Sequence, residues 1–253
     1  MLRSIYLSAT NMVVQRAKVD VITNNIANTD TTGYKSDTLV SRSFSDMLIS
    51  RLNDPNVLST SQSVGTLNTG VHVDELVTDF SQGALEETGN DGDLAINGEN
   101  AFFVVSTTAG DRYTRDGSFY LNSNGYLVTA SGNLVMGENG AGIQVKGSEF
   151  AVDSQGNVLV EGKSVGKLRL VSFSDTGALR KAGDNLFYNY GGATVSTATN
   201  YNVKQGYLET SNTNITNQIV DMMSASRSYE TSQRIVKMLD ESLGKAVNEV
   251  GRV

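Results

Sequence analysis

The sequence predicts a mixed α and β chain, with long N- and C-terminal α-helices forming a coiled-coil-like layer and an antiparallel β domain inserted between them. Apolar residues recur at every seventh position near both ends, the pattern of helices packed lengthwise on others. The middle instead carries short β-type runs separated by Asn-Gly and Asp-Gly pairs. The 253 residues include 25 Gly and a single Pro, which suits many tight turns and few breaks.

The N-terminal helical part is expected over residues 1–35. Ile5, Met12, Val19 and Ile26 form its stripe, Ala9, Val13 and Ile22 widen it, and Arg3, Gln15, Arg16, Lys18 and Asp20 are polar. Asn24, Asn25 and Asn28, then Thr31-Thr32-Gly33, are poor helix formers followed by a left-handed stop. The C-terminal helical part is expected over residues 208–253. Ile215, Met222, Tyr229, Val236, Leu243 and Val250 are again seven apart, and Ser211 or Asn212 is the expected N-cap. Rising 1.5 Å per residue, the helices would span roughly 40 Å and roughly 55 Å. These stripe residues, together with Asn24, Asn25 and Asn28, form the expected assembly interface, while periodicity alone equally suits an intramolecular helical hairpin.

The β domain is expected over residues 82–207. Phe102-Phe103-Val104-Val105, Tyr126-Leu127-Val128 and Lys167-Leu168-Arg169-Leu170-Val171 read as strands. The turn pairs are Asn97-Gly98, Asp116-Gly117, Asn124-Gly125, Asn139-Gly140 and Gln155-Gly156. Residues 36–81 read as an extended connecting segment. Within it, the Ser/Thr/Asn-rich stretch 53–69 holds Pro55 and reads as an irregular segment, either a binding element or a disordered one.

Net charge is −7 and the isoelectric point about 4.8, which argues against a nucleic-acid or other phosphate-binding surface. With no cysteine, neither disulfides nor thiolate metal sites are available. No apolar run is long enough to span a bilayer. Ser4, Ser8, Thr10 and Asn11 interrupt the N-terminus, so no cleaved Sec signal peptide is expected.

Enzymatic chemistry finds no support. Gly162-Lys163-Ser164-Val165-Gly166 matches a serine-hydrolase pattern, but it lies between β-type runs and the one histidine, His72, precedes it. It reads as a hairpin turn. Residues 156–164 miss the P-loop spacing and precede a strand rather than a helix. Asp91, Asp93, Asn97 and Glu99 lack the offsets of a calcium loop. No catalytic residue, metal ligand or cofactor is expected.

Three segments resemble the flagellar rod and hook family. The first is Asn24-Asn25-Ile26-Ala27-Asn28-Thr29-Asp30-Thr31-Thr32-Gly33-Tyr34-Lys35. The second is Asp93-Leu94-Ala95-Ile96-Asn97-Gly98 through Phe102-Phe103, then Tyr113-Thr114-Arg115-Asp116-Gly117-Ser118-Phe119. The third is Gly206-Tyr207-Leu208-Glu209-Thr210-Ser211-Asn212, leading to Arg227-Ser228-Tyr229-Glu230. Within the family, residues 113–119 and 206–212 are most similar to the distal-rod branch, and stretch 53–69 resembles its extra segment. Val135-Met136-Gly137-Glu138-Asn139-Gly140 is instead similar to the proximal-rod branch, so a proximal-rod or hook subunit of the same family is the alternative.

The resemblance implies a structural subunit that self-associates into a hollow helical tube, with terminal helices inside and the β domain outside. It implies export by the flagellar type III system to the basal body in the cell envelope. Implied partners are other axial proteins (proximal rod, hook) and a surrounding ring or peptidoglycan, with no nucleic acid and no membrane insertion. A reading of another class is a monomeric secreted β-domain whose Tyr113, Phe119, Tyr120 and Tyr126 bind a carbohydrate or peptide. Aromatics at that density are ordinary sheet packing, and on the monomer reading the two end helices should stay folded in isolation, whereas those of a filament subunit should not.

Overall fold

The fold, taken from a computed structural model, is described for residues 2–52, 61–98, 100–145 and 150–250. The chain divides into two compact units. The first comprises the terminal helices up to Asn24 and from Ile215, with residues 37–77; the second comprises residues 25–36 and 78–214.

In the first unit, α1 (Leu2–Ala27) and α2 (Ile215–Val250) run antiparallel. Asn11 Nδ2 donates to Ser232 Oγ at 2.8 Å, and further along Arg16 and Val19 share a groove with Ser226, Tyr229 and Glu230. The fully buried residues are not the seven-residue stripes. On α1 within this unit they are Val14 and Ile22, while Ile5, Met12 and Val19 are half-buried. On α2 they are Ala225 and Ser232, seven apart, with Met222, Tyr229, Val236 and Leu243 half-buried beside them. Small side chains at a crossing let two helices approach, so larger neighbours move to its flanks. Ile26 is half-buried and Ile215 exposed, and the side chain of Val250 lies outside the described residues.

The expected caps of α2 are corrected. Because the helix starts at Ile215, the capping position falls at Asn214. Ser211 bonds to Thr213, and Asn212 holds the loop residues Ser36, Asp79 and Ser81.

Residues 37–52 and 61–78 form two-stranded ribbons. Strand β1 (Asp37–Ser43) pairs with β4 (Val71–Thr78), and β2 (Met47–Leu52) with β3 (Ser61–Leu67). Between the ribbons Phe44 N donates to Gly70 O at 2.9 Å, Asn68 Nδ2 donates to Phe44 O at 3.0 Å, and His72 stacks on Phe44. The irregular reading of stretch 53–69 is therefore corrected over β3, whose backbone is satisfied by pairing from Met47↔Leu67 to Leu52↔Ser61. Such a ladder needs no apolar periodicity, which is why the composition hid it. Residues 53–60, with Pro55, lie outside the described residues.

Among the described residues, every strand pair of the second unit is antiparallel, and one short 3-10 turn, Thr176–Ala178, interrupts them. Strands β5 (Leu85–Glu87) and β6 (Leu94–Asn97) precede the central β7 (Ala101–Thr107). Then follow β8 (Gly110–Thr114), β9 (Phe119–Leu121), β10 (Leu127–Thr129) and β11 (Leu134–Val135). The hairpins of β12 (Ala151–Val152), β13 (Asn157–Val160) and β14 (Lys163–Lys167) come next. The chain closes with β15 (Leu170–Phe173), β16 (Leu179–Gly183), β17 (Leu186–Asn189), β18 (Val195–Thr197), β19 (Asn202–Gln205) and β20 (Tyr207–Glu209).

Nine of these strands make one sheet, in the order β16-β17-β8-β7-β11-β10-β9, with β15 also against β7 and β18 against β15. Successive side chains on a strand point to opposite faces. On β7 this sends Ala101, Phe103 and Val105 into one core with Leu94, Ile96 and Leu170, and Phe102 and Val104 into another with Phe173 and Phe187. Both faces are covered, so the run Ala101–Val105 is buried without alternation.

Two of the expected turns serve other purposes. Asn97-Gly98 follows β6, which pairs with β19 and not with β7. At Gly117 a Cβ would lie 1.6 Å from Leu94 O, so the residue is there for close backbone passage.

Candidate functional site

The three sequence motifs meet inside the second unit around one carboxylate, that of Glu209 in β20. Tyr34 and Lys35 follow the end of α1. Helical bonding there is replaced by Thr29 N to Ile26 O (3.2 Å) and Thr31 N to Asn28 O (3.2 Å). Gly33 then turns left-handed, with φ +65°, and its backbone N–H donates to Glu209 O at 2.7 Å. A Cβ at Gly33 would sit 2.4 Å from Asp116 N, so both the dihedral and the packing require glycine.

Lys35 Nζ donates to Glu209 Oε1 at 2.5 Å and to Ser81 O at 2.7 Å. Arg115 donates from one Nη to Glu209 Oε2 at 3.3 Å and from the other to Gly98 O at 3.0 Å. Gly83 N donates to Glu209 Oε1 at 2.9 Å. The Arg115 guanidinium lies 5.1 Å from the ring centre of Phe102, and its Nε has no partner among the described residues. Side-chain exposure is 0% for Lys35 and Glu209 and 1% for Arg115.

Around this centre a second ring of bonds ties the strap 25–36 to the sheet. Tyr34 OH donates to Asn25 Oδ1 at 3.0 Å, and Lys181 sits over the Tyr34 ring while donating to Lys35 O at 2.6 Å. Thr32 Oγ1 donates to Asp116 Oδ1 at 2.7 Å. Ser36 N donates to Asn212 Oδ1 at 2.8 Å, and Asn212 Nδ2 reaches Asp79 O at 2.8 Å.

Burial pushes the Lys35 ammonium below its ordinary value; Glu209 opposes this and Arg115 adds to it. Burial likewise lowers Arg115 against the pull of Glu209. A lowered lysine often marks a nucleophile, but this one is sealed from solvent and held by a carboxylate and a carbonyl. The arrangement is a lock: three ionised groups whose desolvation is tolerable only while all three are present.

Lys35, Arg115 and Glu209 stand in the quoted motifs, yet none is among the expected site residues. The only signal was that each motif holds a charged residue among turn formers. Among the expected residues, Asn25 is buried in this network, Asn24 is exposed, and Asn28 accepts from Thr31 Oγ1. The aromatics offered as a ligand surface do not share one: Phe119 packs on Phe103 in one core and Tyr113 on Phe173 in the other. Among the described residues no His, Cys, Asp or Glu group could hold a metal ion, and no helix is long and apolar enough to cross a membrane.

Comparison with known proteins agrees with the motif positions. Residues 5–35 match the flagella basal body rod protein family, residues 95–160 the flagellar hook protein FlgE/F/G D1 domain, and residues 204–249 the flagellar basal body rod FlgEFG protein C-terminal family. The chain is 32% identical to the flagellar hook-basal body complex protein FlhO of Bacillus subtilis over 100% of both chains. It is 33% identical to the basal-body rod protein FlgG of the same organism, over 98% of this chain and 99% of that one. It is 32% identical to the rod protein FlgF of Caulobacter vibrioides, over 99% and 98%. With such likeness along its whole length, the chain belongs to the flagellar basal-body rod family, and is a structural subunit of the basal body in the cell envelope rather than an enzyme.

Proposed function

We propose that this subunit builds the distal rod, polymerising into the hollow tube that carries torque from motor to hook. The observation that carries the self-assembly reading is the unfinished surface of the helical unit. Val13 and Met238 are among the most exposed large apolar residues, whereas both cores of the β unit are closed. Exposed apolar faces of this extent are surfaces for partners. The terminal helices would form the inner coiled-coil layer, with Ile5, Met12, Val19 and Ile26 of α1 and Met222, Tyr229, Val236, Leu243 and Val250 of α2 on its flanks. Ile215, Asn24, Asn25 and Asn28 complete the proposed interface.

The distal assignment rests on residues 113–119, residues 206–212 and the added segment 53–69, and FlgG relatives support it. The ribbons of residues 37–52 and 61–78 fit a role at intersubunit surfaces, since a two-stranded ribbon is marginal alone and here exposes Met47, Leu48 and Leu76. Neighbours along the axis would be the proximal rod and the hook, with ring or peptidoglycan outside. Export would run through the flagellar type III channel. The second reading is a proximal-rod subunit, favoured by residues 135–140 and by the FlgF relative. Deleting the gene tests the choice. Basal bodies that keep the proximal rod but lack the distal rod and hook are expected; a rod missing from its base would favour the second reading.

A further inference from the structure

One face of the nine-stranded sheet lies open where the core beneath it ends. On β17, Leu186 belongs to the core that holds Phe103 and Val105, while Tyr188 and Tyr190 continue the same face past it. Tyr188 is half-buried and Tyr190 is 75% exposed, with the two rings edge to face at 6.3 Å. Arg180 on β16 stands opposite Tyr188, and Arg112 on β8 holds its guanidinium 5.5 Å from the centre of the Tyr188 ring. A tyrosine thus lies between two arginines whose Cα atoms, two strands apart, are separated by about 10 Å. Both arginines bond to backbone only. Arg112 donates to Asp111 O at 3.1 Å, and Arg180 to Gly177 O at 2.6 Å and Leu179 O at 3.0 Å. Among the described residues neither is in an ion pair, in a chain that has 27 acidic residues to offer. Even Asp111, the neighbour of Arg112, pairs instead with Arg169 at 3.2 Å.

Resting on the reading of the chain as a basal-body subunit among other proteins, we propose that this face docks an acidic, extended segment of a partner protein. Tyrosine and arginine are the residue types that concentrate binding energy at protein interfaces. A guanidinium stacked on a ring keeps its outer N–H groups free, and these match a carboxylate two at a time. Acids at alternate positions of an extended segment stand on one side, about 7 Å apart. The long arginine side chains close the remaining distance, and the methylene stems of the acids lie over Tyr188. A polyanion such as nucleic acid or an anionic lipid surface fits less well. The net charge of −7 repels it, and two cations do not offset that field. A short acidic segment brings only the charges that the two arginines can pair.

The first test titrates dye-labelled hexaglutamate with the purified full-length chain. Its fluorescence anisotropy should rise, and fall back as salt is added. Arg112→Ala and Arg180→Ala should each weaken binding roughly tenfold with the melting temperature unchanged. Arg112→Lys should recover only part of the loss, because an ammonium makes no bidentate pair. Equal binding by the double alanine variant would overturn the inference. The second test places the photocrosslinker p-benzoylphenylalanine at position 190 in cells lacking the native chain, and basal bodies are irradiated. A crosslink to another protein, at a segment with two alternate acids, is expected. It should disappear in the double alanine variant while rods still assemble. A crosslink to peptidoglycan or to a second copy of this chain would sink the proposal, as would one that survives the double substitution, or none at all. Each of those failures in intact rods leaves the rod-subunit reading standing. Absence of the native chain from purified basal bodies would overturn both.

Discussion

The strap 25–36 and the helical stretch before it are continuous in sequence and opposite in character. From Asn25 to Ser36 the chain is held by bonds to the sheet, with Gly33, Tyr34 and Lys35 all buried. From Tyr6 to Asn24 only Val14 and Ile22 are fully buried, while Val13 faces outward. A segment whose polar groups find partners within the chain folds with the chain. One whose apolar residues remain exposed needs something further to cover them. The change from a half-exposed helix to a buried strap falls at about residue 24.

The largest effect should come from Glu209→Leu, which leaves Lys35 and Arg115 buried without their carboxylate. A loss of about 3–5 kcal/mol is expected in chemical denaturation of the monomer. A near-neutral result would mean that the lock does not hold the strap. Gly33→Ala should follow, at about 1–3 kcal/mol, because it combines a left-handed backbone with a clash against Asp116.

Substitutions on the helices should invert this order. Met222→Asp or Leu243→Asp is expected to abolish rod assembly while changing the monomer's melting temperature little. A large drop would show that the helices already pack firmly in the free subunit. Hydrogen exchange on the monomer sharpens the same point: residues 2–24 and 215–250 should exchange fast, and residues 25–36 as slowly as β7. Equal protection throughout would erase the boundary.

The smallest effect concerns Asp153, whose carboxylate accepts from Asn157 Nδ2 at 2.7 Å, Asn157 N at 2.8 Å and Gln155 N at 2.9 Å. The Asn157 side chain leads in holding its pKa below the ordinary 3.8. A lowered carboxylate stabilises above its unfolded pKa, and that contribution is lost as pH falls through the folded value. Asp153→Asn should therefore cost a little stability at neutral pH and nothing in strong acid. Melting curves at both pH values would show it.

Helix and strand were legible in the sequence because each has its own period, and both terminal helices and the β7 run lie where that period places them. The buried face of α2 was not. Periodicity marks where apolar residues stand, but close approach selects small ones, so Ala225 and Ser232 line the seam and the Asn11–Ser232 bond crosses it. β3 was missed for a related reason: its ladder is made by backbone groups, which composition does not register.

By itself the sequence determined the helical ends, the β middle, the left-handed stop at Gly33 and the lack of any thiol or histidine-centred chemistry. Only the tertiary structure decided that Lys35 would meet Glu209 across 174 residues and Arg115 across 94. A charge in a sequence reads as surface by default, since burying it alone is costly. What reverses that reading is an opposite charge brought within hydrogen-bonding distance, and which charge arrives depends on how the strands cross.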